Sequence, residues 1–433
     1  MTTNCSTSVT IEKLVQGGRG LARLGSDVLF VRGAIPLETV TIADVQRHKG
    51  FQDAMIGKVL TASPDRVTAP CPVYQICGGC QFQHLRYEAQ LVQKREILQE
   101  TLARVGKITM GAIPPVVASP NPYGYRSTIR FGVFRQEAGF ALGFHEEHTH
   151  QPVGASGCLL VSEATREVIQ AIQRRLAAQR RLPLRLDSLE VRRSAAYGST
   201  LLSFHSGPAG RKQADDLFSL FRDVPDVVGQ VLMSGKARHW QRWVEKQDWI
   251  ADRLDDLIFR IGDRSFMQAN WMLNETLAGT VVDWVSPAPG LRLLELYAGI
   301  GSLGLPLARR GALVTEVESN PYALADARHA AKANHIGRCR FRPLPAEAML
   351  KTVQAGDYDL VLVDPPRTGV SEEVLQYLAR LNVPRLLYLS CDAPTLARDL
   401  ARLCRSGYRI SRCQPFDMFP QTSHLEILVE LQR

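Results

Sequence analysis

The stretch 291-LRLLELYAGIGSLGLPLARRG-311 decides how the second half of the chain folds. Its first six residues form an apolar run of strand length, and Gly299, Gly301 and Gly304 fall at the tight turn and helix start that follow. A strand that turns through glycines into a helix is the ligand-binding unit of a doubly wound sheet, because missing side chains let a ligand approach the backbone N–H groups. A glycine fingerprint alone is a weak signal. Here Glu318 closes the next strand, ALVTEVE, at the place where a carboxylate can accept two ribose hydroxyls.

From about residue 262 the segments LRLLEL, ALVTEVE, YDLVLVD, RLLYLSC, YRISRCQPF and HLEILVEL alternate with helical patterns. That alternation predicts an α/β domain built on a parallel sheet, with the last strands antiparallel. An NAD site would resemble the glycine loop too. Glu295 on the preceding strand and the spacing E-x-x-x-G-x-G are instead closer to S-adenosylmethionine enzymes. In DPPRTG (364–369), Pro365 and Pro366 stiffen a strand exit and hold Asp364 in the crevice. In LYLSCDAPTLARDL (387–400) a greasy strand ends on Cys391, and Pro394 suits the first turn of a helix carrying Leu396 and Leu400. At a strand's carboxyl end Cys391 would face a substrate; the plainer reading is a small buried hydrophobe.

Residues 1–68 alternate apolar and polar positions between glycines, the pattern of a small barrel of short strands that offers a face to RNA. YEAQLVQKREILQETLARVG (87–106) has near-helical spacing, with Gly106 as its stop. Strand-rich sequence resumes from Tyr123 to about Phe259, broken by the helical, Arg-dense EATREVIQAIQRRLAAQRRL, and predicts a separate α+β domain. Within it KARHWQRWVEK mixes Lys236, Arg238, Arg242 and Lys246 with Trp240 and Trp243, as single-stranded RNA sites do; a solvated strand with two core tryptophans is the plainer account.

CPVYQICGGC places Cys71, Cys77 and Cys80 at C-x5-C-x2-C, and Cys158 stands alone further on. Zinc is the first candidate for four sulfurs, but its ligands usually come as two close pairs. Three close cysteines and a distant fourth is the habit of a [4Fe-4S] cluster. The C-x3-C-x2-C triad of radical S-adenosylmethionine enzymes does not match.

With 52 Lys plus Arg against 43 Asp plus Glu, the chain carries +9, a surplus that favours a polyanion such as RNA. The 45% hydrophobic and 22% charged composition excludes fibrous and disordered classes. Neither a secretory signal nor an apolar run of about 18 residues is present, so a cytoplasmic protein with no membrane partner is expected, its nine cysteines serving as thiols, ligands or catalysts.

Together VTIEKLVQGGRGLARL, CPVYQICGGC with Cys158, SFMQAN, ELYAGIGSLGLPLA, DPPRTG, SCDAPTLARDL and FDMFPQTSHLE resemble the S-adenosylmethionine-dependent RNA uracil-C5 (5-methyluridine) methyltransferases, in their RlmD-like 23S rRNA branch. The resemblance implies a Rossmann-like methyltransferase sheet (87–122 and 261–433), an amino-terminal TRAM (OB-like) β-barrel (1–68) and a central α+β iron-sulfur domain (69–86 and 123–260). It implies Cys391 as nucleophile and Glu426 as base. Gln268, Tyr297, Gly299, Gly301, Ser302, Glu318 and Asp364 are implied at the methyl-donor site, and Cys71, Cys77, Cys80 and Cys158 around the cluster. The implied partner is RNA, 23S rRNA first and tRNA second, with no obligate protein partner. Asp392 stands where relatives have Asn, and its charge beside Cys391 would raise the thiol pKa unless Arg367 or Arg398 offsets it. An RNA-binding or remodelling protein weakened in turnover by Pro345 and Asp392 is the alternative.

Overall fold

The computed structural model describes residues 7–147, 149, 151–236 and 239–433. Arg238 and the first six residues, both part of the patterns above, lie outside them.

The carboxyl-terminal half builds a seven-stranded sheet from β1 (Arg292–Leu296), β2 (Leu313–Val317), β3 (Cys339–Arg342), β4 (Leu360–Val363), β5 (Arg385–Ser390), β6 (Arg409–Phe416) and β7 (Glu426–Gln432). The order is β3-β2-β1-β4-β5-β7-β6, parallel from β3 to β5, with β7 antiparallel to both β5 and β6. Strand order reverses at β1, so the crevice beyond the carboxyl ends of β1 and β4 is the switch point where such sheets bind ligands. The central strands are buried on both faces, as crossover helices require, which is why LRLLEL and RLLYLS read as continuous apolar runs. Helix Ala393–Arg405 begins at Asp392, whose carboxylate accepts the Thr395 N–H at 2.9 Å, with Pro394 in the first turn; it buries Leu396, Leu400 and Leu403. Against it packs helix Tyr87–Arg104 through Leu98 and Leu102, each apolar side chain removed from water contributing roughly 1.5–3 kcal/mol.

The middle of the chain forms a second seven-stranded sheet, covered by helices Glu163–Ala177 and Arg211–Ser219. Its edge strand His239–Lys246 carries Trp240, Arg242, Trp243 and Lys246 of the basic and aromatic stretch, and Lys236 ends the strand beside it. There Arg242 is tied to Asp248 and Asp263, and Trp243 packs on the core of this sheet. Trp240 is exposed. The hairpin Trp249–Gly262 turns the other way, sending Ile250, Phe259 and Ile261 into the core of the carboxyl-terminal sheet.

Residues 8–61 form six strands around a small core of Val9, Ile11, Ala22, Leu29, Val31 and Val40. The expected alternation is present, but the ladder does not close. Ser8–Thr10 and Lys13–Val15 stand at its two ends, unpaired with each other. In the long hairpin Thr39–His48 and Phe51–Thr61 the turn end of the first strand is exposed, while the turn end of the second pairs with Asp27–Arg32 and buries Ala54 in the core. No helix among the described residues is long and apolar enough to cross a membrane.

Candidate active site

Three strand ends bring the reactive groups together. Tyr388 on β5 lies beside Val363 on β4, which places Cys391 and Asp364 just past neighbouring ends. Ser390 pairs with Ile427, so the next step of that register sets Cys391 against Glu426. The antiparallel direction of β7 is decisive here: its first residue emerges where β5 finishes, in the same crevice. Cys391 is half-buried and Glu426 fully buried.

Charge follows from this crowding. Burial first, then Glu426, pushes the Cys391 thiol up to about 11, with Asp364 adding to the rise and Arg367 opposing it. Burial, then Asp364, raises Glu426 well above the usual carboxylate range, again against Arg367. Burial, then Glu318, lifts Asp364 to about 7. Asp392 is engaged as the helix cap, and Arg398 is tied to Asp399 and the Thr368 carbonyl. Thus Arg367 is the compensating cation at the thiol, and its neighbours Glu426 and Asp364 are the charges that matter.

The glycine loop is built differently from its simplest reading. Gly299 has φ +58° and Gly301 +79°, and Tyr297 between sheet and loop is also left-handed at +63°, a costly conformation for a large side chain. A Cβ on Gly299 would meet nothing, so backbone twist alone asks for glycine there. A Cβ on Gly301 would lie 2.9 Å from Glu316 Oε1, and one on Gly304 only 2.1 Å from Glu295 Oε2. At these two positions the missing side chains make room for buried carboxylates beneath the loop. Glu316 is a site residue the sequence reading missed; its place inside an otherwise apolar strand was the available signal. Glu318 holds the loop from above: Oε2 accepts the Gly299 N–H at 3.0 Å and Oε1 the Asn320 N–H at 2.7 Å. Ser302 is half-buried in this loop, and Gln268 is buried in the segment leading to helix Trp271–Val285.

Cys71, Cys77, Cys80 and Cys158 line one cavity of about 300 Å³. Backbone bonds gather them: Gly78 N–H donates to the His145 carbonyl, and Cys158 N–H to Ala155. Burial and then the other thiols push Cys80 up to about 12. Among the described residues no group of three or more His, Cys, Asp or Glu side chains is arranged to hold a single metal ion. Four thiols on the lining of one cavity are the donor set of a thiolate-ligated centre, zinc or iron–sulfur alike.

The fold and loop are those of a doubly wound α/β enzyme with a ligand site at its switch point. A family model for tRNA (Uracil-5-)-methyltransferase matches residues 86–433. An uncharacterized RNA methyltransferase of Halalkalibacterium halodurans is 32% identical over 443 residues, covering 98% of this chain and 96% of that protein. Another, from Gloeobacter violaceus, is 34% identical over 444 residues with the same coverage. The crystal structure of Pyrococcus abyssi tRNA (uracil-54, C5)-methyltransferase in complex with S-adenosyl-L-homocysteine superposes with a TM-score of 0.77 at 24% identity, covering 98% of this chain and 99% of that one. The chain belongs to the tRNA (uracil-5-)-methyltransferase family.

Proposed function

We propose that the protein transfers a methyl group from S-adenosylmethionine to C5 of a uridine in RNA, with 23S rRNA as the substrate. The observation that carries this reading is the convergence of Cys391 and Glu426 at paired strand ends, with Asp364 and Arg367 beside them.

Uracil C5 is too weak a nucleophile to be alkylated directly. Addition of the Cys391 thiolate to C6 breaks the C5–C6 double bond and moves its electrons into an enolate, which makes C5 nucleophilic. When bound, the donor supplies an electrophilic methyl group on a sulfonium. After transfer to C5, Glu426 removes the C5 proton; the electrons reform the double bond and expel Cys391. Arg367 favours the ionised forms of both groups, which burial and mutual repulsion oppose. Tyr297, Gly299, Gly301, Ser302, Glu318, Asp364 and Gln268 form the donor site in this reading.

Cys71, Cys77, Cys80 and Cys158 would hold a [4Fe-4S] cluster. With all four ligands coming from protein thiolates, the cluster would hold the cysteine segment and the sheet behind it in place for RNA. The division into an amino-terminal TRAM-like RNA-binding part (1–68), an iron-sulfur part (69–86 and 123–260) and a methyltransferase part (87–122 and 261–433) belongs to the same proposal.

Purified protein with labelled S-adenosylmethionine should form 5-methyluridine in unmodified 23S rRNA and leave tRNA transcripts unlabelled. Label in tRNA alone would favour the second reading, which the name of the Pyrococcus neighbour supports. Label in neither RNA would overturn the activity.

A further inference from the structure

A cavity of about 1010 Å³ opens along the outer face of helix Ala393–Arg405 and shares no lining residue with the four-cysteine cavity. One wall is the helix itself, presenting Arg398, Arg402 and Arg405. Facing it is the stretch 105–111, which carries Lys107, and Arg409 at the start of β6 completes the rim. Five of the 16 lining residues are cations and none is a carboxylate, which separates this groove from a solvated face of mixed charge. Ile108, Met110 and Ile410 add apolar surface between the charges.

The cations divide into two sets. Arg398 is bound by Asp399 and the Thr368 carbonyl, and Arg402 by Glu372. Lys107, Arg405 and Arg409 are exposed, and no side-chain hydrogen bond or ion pair engages them among the described residues. Three cations left without counter-charges on one groove are an unfavourable self-repulsive arrangement unless an anion is to be placed there. Position matters as well. Arg398 and Arg402 also line an adjoining cavity of about 490 Å³ that contains Tyr297 of the glycine loop and Pro366 and Thr368 of DPPRTG. The groove therefore adjoins a cavity that reaches the glycine loop and the DPPRTG turn, and that is also lined by Glu347 and Glu372.

We propose that this groove holds the sugar–phosphate backbone of the RNA strand flanking the target uridine, with apolar patches between the cations for its bases. The inference rests on the reading of the protein as an RNA uridine methyltransferase. From Arg398 to Arg405 the helix rises about 10 Å at 1.5 Å per residue, room for a short run of phosphates leading away from the crevice. Alternating cations and apolar surface suit a single strand, whereas an acidic protein partner would need carboxylate-matched pairs and gains nothing from a neighbouring cavity at the glycine loop.

The test is the triple variant Lys107→Gln/Arg405→Gln/Arg409→Gln, whose changes are at exposed side chains. If each cation meets one phosphate, the slope of log affinity against log salt falls by about 0.7 per cation, close to 2 in total. RNA affinity at physiological salt should drop by roughly tenfold or more, KM for RNA should rise and kcat at saturation should hold. The wild type should bind long RNA more tightly than a short oligonucleotide centred on the uridine, and the variant should lose that preference. An unchanged salt slope with unchanged length preference overturns the inference, as do crosslinks from 4-thiouridine in the flanking strand that fall only outside residues 105–111 and 398–411. Binding and crosslinking are read on the wild type without turnover. Failure of methyl transfer is thereby distinguishable from failure of the groove.

Discussion

Glu295 and Glu316 stand opposite each other in register on the neighbouring parallel strands β1 and β2, both buried beneath the glycine loop. Glu295 Oε2 and both oxygens of Glu316 have no hydrogen-bond partner, and Gly301 and Gly304 lack the Cβ atoms that would displace them. Two carboxylates so placed cannot both ionise at neutral pH, and they share the titration of a pair. The pair thus lies beneath the loop, and Glu318 fixes the loop from above through the Gly299 and Asn320 N–H groups.

The stability of the protein should depend on this pair in a definite direction. Burial, then Glu316, raises Glu295 well above its ordinary value; burial lifts Glu316 to about 8. Folded protein therefore retains protons that the unfolded chain loses near the usual carboxylate pKa of about 4.3. Where the folded state binds more protons, stability falls as pH rises, so the window runs from that value up to about 8. Glu316→Gln should flatten the thermal-melting profile across this window and raise Tm at its alkaline end, by roughly 1 °C for each kcal/mol of repulsion removed in a chain of this length. Parallel profiles for variant and wild type would rule the shared proton out.

The thiol chemistry gives a second prediction. Cys391→Ala should abolish turnover, and Glu426→Gln should accumulate an RNA–protein adduct that survives denaturing gels, because the C5 proton is no longer removed. With the thiol pushed up to about 11, its ionised fraction climbs with pH across the neutral range. Single-turnover methylation by the wild type should climb too. Arg367→Gln removes a cation that opposes Glu426 and Asp364, and should slow that reaction roughly tenfold for each further unit of thiol pKa. A pH-independent rate in both proteins would remove thiolate formation from the rate-determining events.

Much of this architecture is legible in sequence because it obeys local rules. Glycines at positive φ, a proline in a first helical turn and apolar runs buried on both faces each leave a mark on a short window. Partners set by tertiary register do not. The sequence places Glu426 in a late strand, but hydropathy cannot say that β7 inserts between β5 and β6, the event that sets Glu426 against Cys391. Glu295 and Glu316 are far apart along the chain, and only the β1–β2 register makes them neighbours. At the amino terminus strand alternation is readable, whereas which strands stand at the ends of the sheet is set by tertiary pairing. Trp243 takes the core place that the plainer sequence account gave it, whereas the partners of Arg242, Asp248 and Asp263, are set only by tertiary packing.

The cysteine cavity makes the third prediction. Protein purified without oxygen should contain iron and absorb broadly at roughly 400 nm, as thiolate-ligated iron–sulfur centres do. Cys158→Ala, which removes the ligand most distant in sequence, should lose both. Stoichiometric zinc without iron would replace the cluster by a mononuclear site and require the four thiols to close around one ion.

Lys94 and Asp417 provide the last. Lys94 is completely buried on helix Tyr87–Arg104, its Nζ 2.5 Å from Asp417 Oδ1 and 3.1 Å from the Phe419 carbonyl. One turn earlier Gln90 exchanges hydrogen bonds with Gln421, donating to its side chain and accepting from its N–H. Both contacts hold the loop between β6 and β7, and that loop ends at Glu426. Lys94→Met leaves a buried carboxylate unpaired and should cost about 3–5 kcal/mol of stability, while adding Asp417→Asn should recover a large part of it. Because the loop leads directly to the proposed base, the single variant should also slow loss of the C5 proton and build up adduct, as a milder form of Glu426→Gln. If Asp417→Asn recovers stability in a double-mutant cycle and adduct never accumulates in the single variant, the pair supports the fold but does not position Glu426.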